Sequence, residues 1–201
     1  IVQSSLVMLG QLFTACLAAY AFSFINFKWK NFFFLVFLST MMIPWEATII
    51  PNYLTIRSLD WTDTYLGLAV PFLATGFGTF LLRQFFLKIP HDLYDAAFID
   101  GCSHLRFLST IVIPLARPAL GTLAVYSFLQ TYNQYLWPLL ITNDESMRTV
   151  QIGIALLQDE ERMLFNNVMA GVVLILLPTM FLFVISNKQL IRGLTAGAVK
   201  G

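Results

Sequence analysis

The chain has 201 residues, of which 58% are apolar and only 11% carry a charge, and its mean hydropathy is +0.74. Soluble domains carry charge on roughly a quarter of their residues, so this composition excludes an ordinary soluble protein and indicates an integral membrane protein. The formal net charge of +1 gives no basic or acidic excess, and nucleic acid is therefore not an expected partner.

Five apolar stretches approach the roughly 20 residues that an α-helix needs to cross a bilayer. They cover residues 2–25, 32–51, 65–86, 119–141 and 167–185. These stretches predict an all-α fold, a polytopic bundle in which residues 1–201 form one transmembrane domain. The chain begins with Ile1 rather than methionine, and we therefore expect one further helix upstream.

The charged residues indicate which loops face the cytoplasm. Most lysines and arginines fall in the loop after the first predicted span, around residues 88–118 and in the tail at 187–201. Residues 143–166 instead hold a group of carboxylates. By the positive-inside rule, residues 88–118 and the tail are cytoplasmic, and residues 143–166 form an extracytoplasmic loop. We expect a short helix along the external surface within that loop.

The polar stretch at residues 90–118 predicts two short helices with a bend between them. Asp92 is placed to cap the first helix, and Gly101 to end it in the left-handed conformation. Ser103 can begin the second helix, which Pro114 is expected to interrupt. Each helix repeats apolar residues at helical spacing, so that they form one apolar stripe. They are Leu93, Ala96 and Ala97 in the first helix and Leu105, Leu108 and Ile111 in the second.

This stretch resembles the EAA loop of the membrane subunits of bacterial ATP-binding-cassette importers. The residues that carry the resemblance are Asp95, Ala96, Ala97, Asp100, Gly101, Ile111, Ile113 and Pro114. Three positions depart from the usual pattern: Asp95 stands where Glu is typical, Cys102 where Ala is typical and Ile113 where Leu is typical. In that family a separate ATPase subunit receives the loop, so the resemblance implies that residues 88–118 are a cytoplasmic coupling loop. The coupling residues that the resemblance implies are Asp95, Ala96, Ala97, Asp100, Gly101, Ile111 and Pro114.

A second informative stretch lies at residues 126–141. Tyr126, Gln130, Asn133, Gln134, Trp137 and Ile141 fall on one helix face. Amides are costly against lipid, so this face is expected to meet other helices or a watery pathway. Two interpretations stay open: hydrogen bonding in a subunit interface, and lining of a translocation route. Pro138 predicts a kink or break within this helix.

Glu46 is the one carboxylate inside a predicted span, and an acid at membrane depth is a functional candidate. Its position near the outer end allows another interpretation, in which Glu46 reaches the interface beside Trp45 and pairs with Arg57. Arg83 lies close enough to the end of its span to reach the interface, and the spans offer no other cation for a phosphate-bearing solute. A partner permease or a binding protein would have to supply that charge.

Residues 82–86, 133–140 and 192–194 are similar to the second permease subunit of carbohydrate importers, and within that branch to glycerol-3-phosphate uptake permeases. The resemblance implies six spans with both ends inside and a multi-pass location in the bacterial inner membrane. The implied partners are a second permease, two ATP-binding subunits, an extracytoplasmic solute-binding protein and the lipid bilayer. The implied solute is a sugar or a sugar or glycerol phosphate. Glycerol-3-phosphate or a related glycerophosphodiester is favoured, with a disaccharide or oligosaccharide as the alternative.

The sequence lacks residues that other functional classes require. No lysine is followed by Ser or Thr as in a P-loop, so we expect ATP and its hydrolysis on a partner subunit. No Ser/His/Asp set shares an apolar face and no Cys/His cluster has metal spacing, so neither an enzyme nor a metal site is expected. A secondary transporter or channel is the competing class, and it predicts ionisable residues near the bilayer centre, which are lacking.

Overall fold

The structure is a computed structural model that describes residues 1–159 and 165–195, with side chains described for residues 1–157 and 166–184. All regular structure within these residues is helical, as predicted. The α-helices are α1 (Val2–Phe24), α2 (Lys30–Ser39), α3 (Trp45–Ser58), α4 (Tyr65–Ala69), α5 (Gly76–Phe86), α6 (His91–Ile99), α7 (His104–Phe107), α8 (Ile113–Leu115), α9 (Arg117–Tyr132), α10 (Leu136–Ile141), α11 (Val150–Asp159) and α12 (Phe165–Thr195).

Most of the membrane crossings are bent. Only Val2–Phe24 and Asn166–Val184 are single helices long and apolar enough to span a bilayer, among the described residues. Three further candidate spans are pairs of helical segments, bent by 94° after Met42, by 50° after Phe72 and by 83° after Leu115. The first segment of the third pair, His104–Leu115, belongs to residues 88–118, which are predicted to lie outside the bilayer. The described residues therefore hold up to five spans, which agrees with the predicted number.

Residues 32–51 were predicted as one span, but they belong to two helical segments that meet at an angle of 94°. The chain turns between Met42 and Trp45, and its second half continues as α3 to Ser58. Ile43 and Pro44 are both extended at this turn. A proline ring disfavours a helical conformation in the residue before it, so the helix ends ahead of Pro44.

The predicted helix at residues 119–141 is also two helices. α9 ends at Tyr132 and α10 begins at Leu136, so the break falls at residues 133–135 and not at Pro138. Pro138 lies in the first turn of α10. Its missing N–H removes no hydrogen bond there, because the first N–H groups of a helix have no partner within it.

The helix α1 is the centre of the bundle and packs against α5 and α9, while α9 also packs against α12. Small buried residues make these close approaches, among them Ala15, Ala19 and Ala119. Gly78 lies so close that a Cβ added to it would be 3.3 Å from the Ala15 Cβ. Close packing of small residues is a main source of helix association in membranes.

Polar side chains of α1 bind carbonyls at the bend between α4 and α5. Gln11 Nε2 donates to Phe72 O at 2.9 Å, and Thr14 Oγ1 donates to Leu73 O at 2.7 Å. Two turns before Gln11 in α1, Gln3 Nε2 donates to the carbonyl of Leu68 in α4 at 3.3 Å. Unpaired carbonyls are costly at membrane depth, so this polar stripe of α1 (Gln3, Gln11, Thr14) stabilises the bend.

The structure describes only parts of the predicted loop at residues 143–166 and of the predicted tail at residues 187–201. The short helix expected within residues 143–166 is present as α11, whose Ile152 is buried; residues 160–164 lie outside the described part. α12 continues as a helix to Thr195 and so enters the predicted tail at 187–201, of which residues 196–201 are not described.

Candidate functional site

The predicted coupling loop, residues 88–118, is called the coupling loop below and contains the predicted pair of helices with a glycine between them. α6 ends at Ile99, Gly101 has a φ of +76°, and α7 begins at His104. A Cβ added to Gly101 would meet nothing within 4 Å, so only the backbone conformation favours glycine. The predicted left-handed bend is confirmed.

The face that α6 presents to the protein differs from the predicted apolar stripe. Tyr94, Ala97 and Phe98 are partly buried against the core, whereas Leu93 and Ala96 are exposed. Of the predicted stripe of Leu93, Ala96 and Ala97, only Ala97 faces the core. The two aromatic rings have more apolar surface to bury, and their packing decides which face turns inward.

The predicted Asp92 cap is wrong as well. Pro90 is the N-cap residue of α6, and no side-chain hydrogen bond caps the helix. Asp92 lies in the first turn instead. A carboxylate there still stabilises the helix through the positive end of the helix dipole.

The second half of the coupling loop departs from a regular α-helix. α7 becomes a π-helix at Leu108–Val112, and the wider turn changes which residues face inward. Leu108 and Val112 are buried, but Leu105 is 71% exposed, so the predicted stripe is only partly buried. The chain stays helical through Pro114, and the bend falls at Ala116.

A cluster of rings holds the coupling loop against the cytoplasmic end of α1. We call it the aromatic clamp: Tyr20, Phe24, Tyr94, Phe98, His104 and Phe107. The ring of Phe24 stacks on Tyr94 at 5.6 Å between centroids and meets Phe107 edge-on at 5.4 Å. The Tyr20 hydroxyl lies 2.9 Å from His104 Nδ1. The clamp therefore joins both halves of the loop to one transmembrane helix.

The predicted coupling residues divide into two groups. Asp95, Ala96, Asp100 and Gly101 are exposed on the loop surface. Ala97, Ile111 and Pro114 are partly buried and face the body of the protein. The exposed surface also carries Ile99 and Leu105, which are 86% and 71% exposed. Exposed apolar side chains of this size are typical of a protein-binding surface.

A cavity of about 580 Å³ lies where several helix breaks meet. Its walls come from the turn before α3, the bend between α4 and α5, the end of α9 and the start of α10, together with Gln11 of α1. Apolar and aromatic side chains line it together with hydroxyls, amides and one carboxylate, and they include Thr40, Trp45, Glu46, Phe72, Thr75, Tyr126, Gln130, Gln134 and Trp137. Such a mixture of aromatic, apolar and a few polar groups is typical of ligand sites.

Four of the five residues predicted for a pathway or interface line this cavity: Glu46, Gln130, Gln134 and Trp137. Gln134 accepts a hydrogen bond from Gln3 Nε2 at 3.2 Å, and Trp137 Nε1 donates to Gly67 O at 3.2 Å. Asn133 does not line the cavity. Its Nδ2 donates to Leu129 O at 2.9 Å, so the amide is used within its own helix end.

The predicted pairing of Glu46 with Arg57 is wrong. Glu46 lies in the first turn of α3 and Arg57 in the last turn. Eleven residues of α-helix separate them by about 16 Å, too far for an ion pair. Glu46 is exposed, and it is the only residue lining the cavity that is charged at neutral pH.

The outer ends of the helices are tied together by Asp63, which lies between α3 and α4. Its carboxylate accepts hydrogen bonds from the backbone N–H groups of Asn143 at 2.6 Å and Asp144 at 2.9 Å. The Asp63 N–H donates to Ile141 O at 3.0 Å. The backbone hydrogen bond from Asp144 and those from Asn143 lower the pKa of Asp63.

Sequence comparison decides the family. The model of the family described as binding-protein-dependent transport system inner membrane component matches residues 11–195. The chain belongs to this family. It is therefore an inner-membrane-type permease component, as its apolar helices and its coupling loop predicted.

Similar curated proteins support this assignment. The chain is 38% identical over 190 residues to the sn-glycerol-3-phosphate transport system permease protein UgpE of Yersinia enterocolitica, covering 94% of this permease and 68% of that protein. The protein of the same name from Brucella abortus is 37% identical, with coverages of 94% and 67%. A solved bacterial ABC transporter involved in the import of the acidic polysaccharide alginate has a similar fold, with a TM-score of 0.80 at 24% identity, over 93% of this chain and 70% of that one.

Sequence reasoning missed two parts of this permease. Tyr20 and Phe24 gave no signal because each is one aromatic residue among many in an apolar span. The polar stripe of α1 had a signal, since Gln3, Gln11 and Thr14 recur at i, i+8 and i+11 on one helix face. Buried amides in a membrane helix need partners, and that pattern points to a broken neighbour.

Proposed function

We propose that this chain forms half of the translocation pathway of an ATP-driven importer in the bacterial inner membrane. It works with a second permease, two ATP-binding subunits and an extracytoplasmic solute-binding protein. ATP is bound and hydrolysed on the ATP-binding subunits, and this chain couples to them through residues 88–118. The solute is a sugar or a sugar or glycerol phosphate, with glycerol-3-phosphate or a related glycerophosphodiester favoured.

The observation that carries this proposal is the path of α1 between the coupling loop and the cavity. Tyr20 and Phe24 belong to the aromatic clamp, and Gln11 of the same helix borders the cavity. Nine residues of α-helix separate Gln11 from Tyr20 by about 13 Å. A displacement of the loop therefore reaches the cavity through one rigid element.

The mechanism is rigid-body transmission. ATP binding draws the two ATP-binding subunits together, and each carries a docked permease loop with it. α1, α5 and α9 move with the loop because they share one core with it. The two permeases then rotate from an inward-open to an outward-open arrangement.

The solute assignment draws on the relatives named for sn-glycerol-3-phosphate transport. One observation favours the disaccharide or oligosaccharide alternative. The cavity offers amide, hydroxyl and aromatic side chains and no cation. ATP-dependent uptake of glycerol-3-phosphate and of maltose by the assembled transporter would decide between the two solutes.

The coupling role has a direct test that needs no solute. Residues 95–101 are scrambled, and the transporter is purified through this chain. Loss of the ATP-binding subunit, with the second permease retained, supports the proposal. Cys102 is a natural reporter, since it is partly exposed and Cys16 is buried. Labelling of Cys102 in intact cells by a membrane-impermeant maleimide would contradict a cytoplasmic loop.

A further inference from the structure

The cavity has a marked charge asymmetry. Glu46 lines it with an exposed carboxylate, and no lysine, arginine or histidine lies among the lining residues. Within the described part of the chain, the one ion pair joins Arg148 to Glu145 and leaves Glu46 out. The cavity lining therefore offers a solute one carboxylate and no positively charged side chain.

Glu46 adds a hydrogen-bond acceptor to a cavity whose other polar groups are amides and hydroxyls. A carboxylate without its proton accepts hydrogen bonds and donates none. The amides of Gln130 and Gln134 and the hydroxyl of Tyr126 line the same cavity and can donate. A solute hydroxyl can donate to Glu46 and accept from these groups, whereas a phosphate oxygen is itself an acceptor and repels the carboxylate.

The aromatic wall beside Glu46 has the same preference. Trp45, Phe72 and Trp137 contact one another with centroid distances of 4.5, 5.6 and 6.0 Å. These rings offer apolar surface, which suits the C–H groups of a sugar or glycerol and would remove water from a phosphate without replacing its hydrogen bonds. The hydroxyl-bearing carbon part of a solute therefore suits this wall better than a phosphate does.

We propose that this cavity binds the uncharged, hydroxyl-bearing part of the solute, with Glu46 accepting a hydroxyl hydrogen bond directly. A phosphate on the same solute then faces away from this chain, toward the second permease. This inference rests on the proposed function. At an effective dielectric constant near 20, two unit negative charges about 5 Å apart disfavour each other by roughly 300-fold, so a phosphate is not expected beside Glu46.

The test is uptake by the complete transporter carrying Glu46→Gln, Glu46→Lys or the control Glu145→Gln. Glu145 is an exposed carboxylate outside the cavity, so its variant should match the unmodified transporter. The probe is glycerol-3-phosphate, with maltose in its place if only maltose is carried. Glu46→Gln should lower kcat/KM about fivefold, mainly through KM, because a hydrogen bond to a charged acceptor is stronger than one to a neutral acceptor. Glu46→Lys should lower it at least as much.

Two outcomes would overturn the inference alone. Faster glycerol-3-phosphate uptake by Glu46→Gln or Glu46→Lys would place the phosphate on this wall. Unchanged kinetics in both variants would mean that the solute does not touch Glu46. If the unmodified transporter shows no ATP-dependent uptake of either probe, the proposed function itself fails.

A second measurement covers variants that assemble but do not transport. Glu46→Cys is made in a chain whose Cys16 and Cys102 are replaced by serine or alanine. Saturating solute should protect the thiol at position 46 from maleimide labelling. Equal labelling with and without solute would overturn the inference.

Discussion

The coupling loop and the cavity both depend on α1, but different forces hold them to it. The loop is fixed by rings, since Tyr94 and Phe107 pack against Phe24 and Phe98 packs against both of them. The cavity is fixed by hydrogen bonds from Gln11 and Thr14 to carbonyls at a helix bend. The ring contacts are many and act together, whereas each hydrogen bond weakens steeply when its angle changes. We call the ring contacts at the loop end the joint and the hydrogen-bonded cavity end the frame. The comparison teaches that the joint depends on several contacts at once and the frame on two bonds, each of which can be removed alone.

The largest expected effect is at the bend of the loop. Gly101→Val places a β-branched residue at φ +76°, at a cost of about 2 kcal/mol. That cost shifts the balance from the bent to a straightened loop by about 30-fold. ATP-dependent uptake should fall by at least tenfold, while the helix content measured by circular dichroism stays unchanged.

Gly153→Val is the matched control for the bend. A Cβ at Gly153 also meets nothing within 4 Å, but Gly153 lies within α11 and has no positive φ. Uptake by this variant should match that of the unmodified protein. If both valine variants transport normally, the left-handed bend has no role in coupling.

The next effect tests the frame around the cavity. Thr14→Val keeps the shape of the side chain and removes the hydroxyl that donates to Leu73 O. Leaving that carbonyl unpaired should lower the free energy of unfolding by about 1 kcal/mol, which corresponds to about 3 °C in Tm. Thermal unfolding in detergent measures the change.

Thr122→Val provides the comparison for Thr14→Val. The hydroxyl of Thr122 donates to Pro118 O of its own helix, and no bend depends on it. Its loss should change Tm by less than 1 °C, a rough expectation for a substitution away from special features. Equal destabilisation by the two variants would contradict a special role for the polar stripe of α1.

A smaller effect is expected at the joint. Tyr20→Phe keeps the ring in the aromatic clamp and removes the bond between the hydroxyl and His104 Nδ1. The loss of roughly 0.5 to 1 kcal/mol should lower the number of solute molecules moved per ATP by two- to fivefold. Tyr94→Phe removes a hydroxyl from the same clamp without breaking a described hydrogen bond, and its ratio should stay unchanged. If Tyr20→Phe moves as many solute molecules per ATP as the unmodified protein, ring packing alone holds the loop to α1 and the hydrogen bond is not needed for coupling.

The loop was more predictable from sequence than the cavity because its information is local. Helix, glycine and helix follow one another within one stretch, and Gly101 is left-handed as its position predicted. The apolar stripe did not give the inward face, because Tyr94 turns toward Phe24, which lies far away in the sequence, and Phe98 packs on Tyr94. The spacing of apolar residues alone does not tell which face of α6 packs against another helix.

The cavity could be predicted only in part because it is made where separate helices break. Gln130, Gln134 and Trp137 share a helix face, and that pattern was visible. The bend after Phe72 and the turn at Pro44 bring Phe72 and Glu46 to the same place, and no local pattern measures those angles. Asn133 was misplaced for the same reason, since α9 ends one residue before it.

The smallest effect concerns the outer edge of the frame and depends on pH. Because the N–H groups of Asn143 and Asp144 lower the pKa of Asp63 in the folded protein, ionised Asp63 stabilises the fold above its unfolded pKa of about 4. This contribution disappears as the pH falls through the lower, folded pKa. Hydrogen exchange at the Asn143 and Asp144 amides should therefore lose protection at acid pH, after correction for the intrinsic exchange rate.

Asp63→Asn should show the weaker protection at every pH. Asp60→Asn, which changes an exposed neighbouring carboxylate, should behave as the unmodified protein. Protection that does not depend on pH in the unmodified protein would mean that these backbone bonds persist without the charge, and that the outer edge is held by the Asp63 N–H bond to Ile141 O instead.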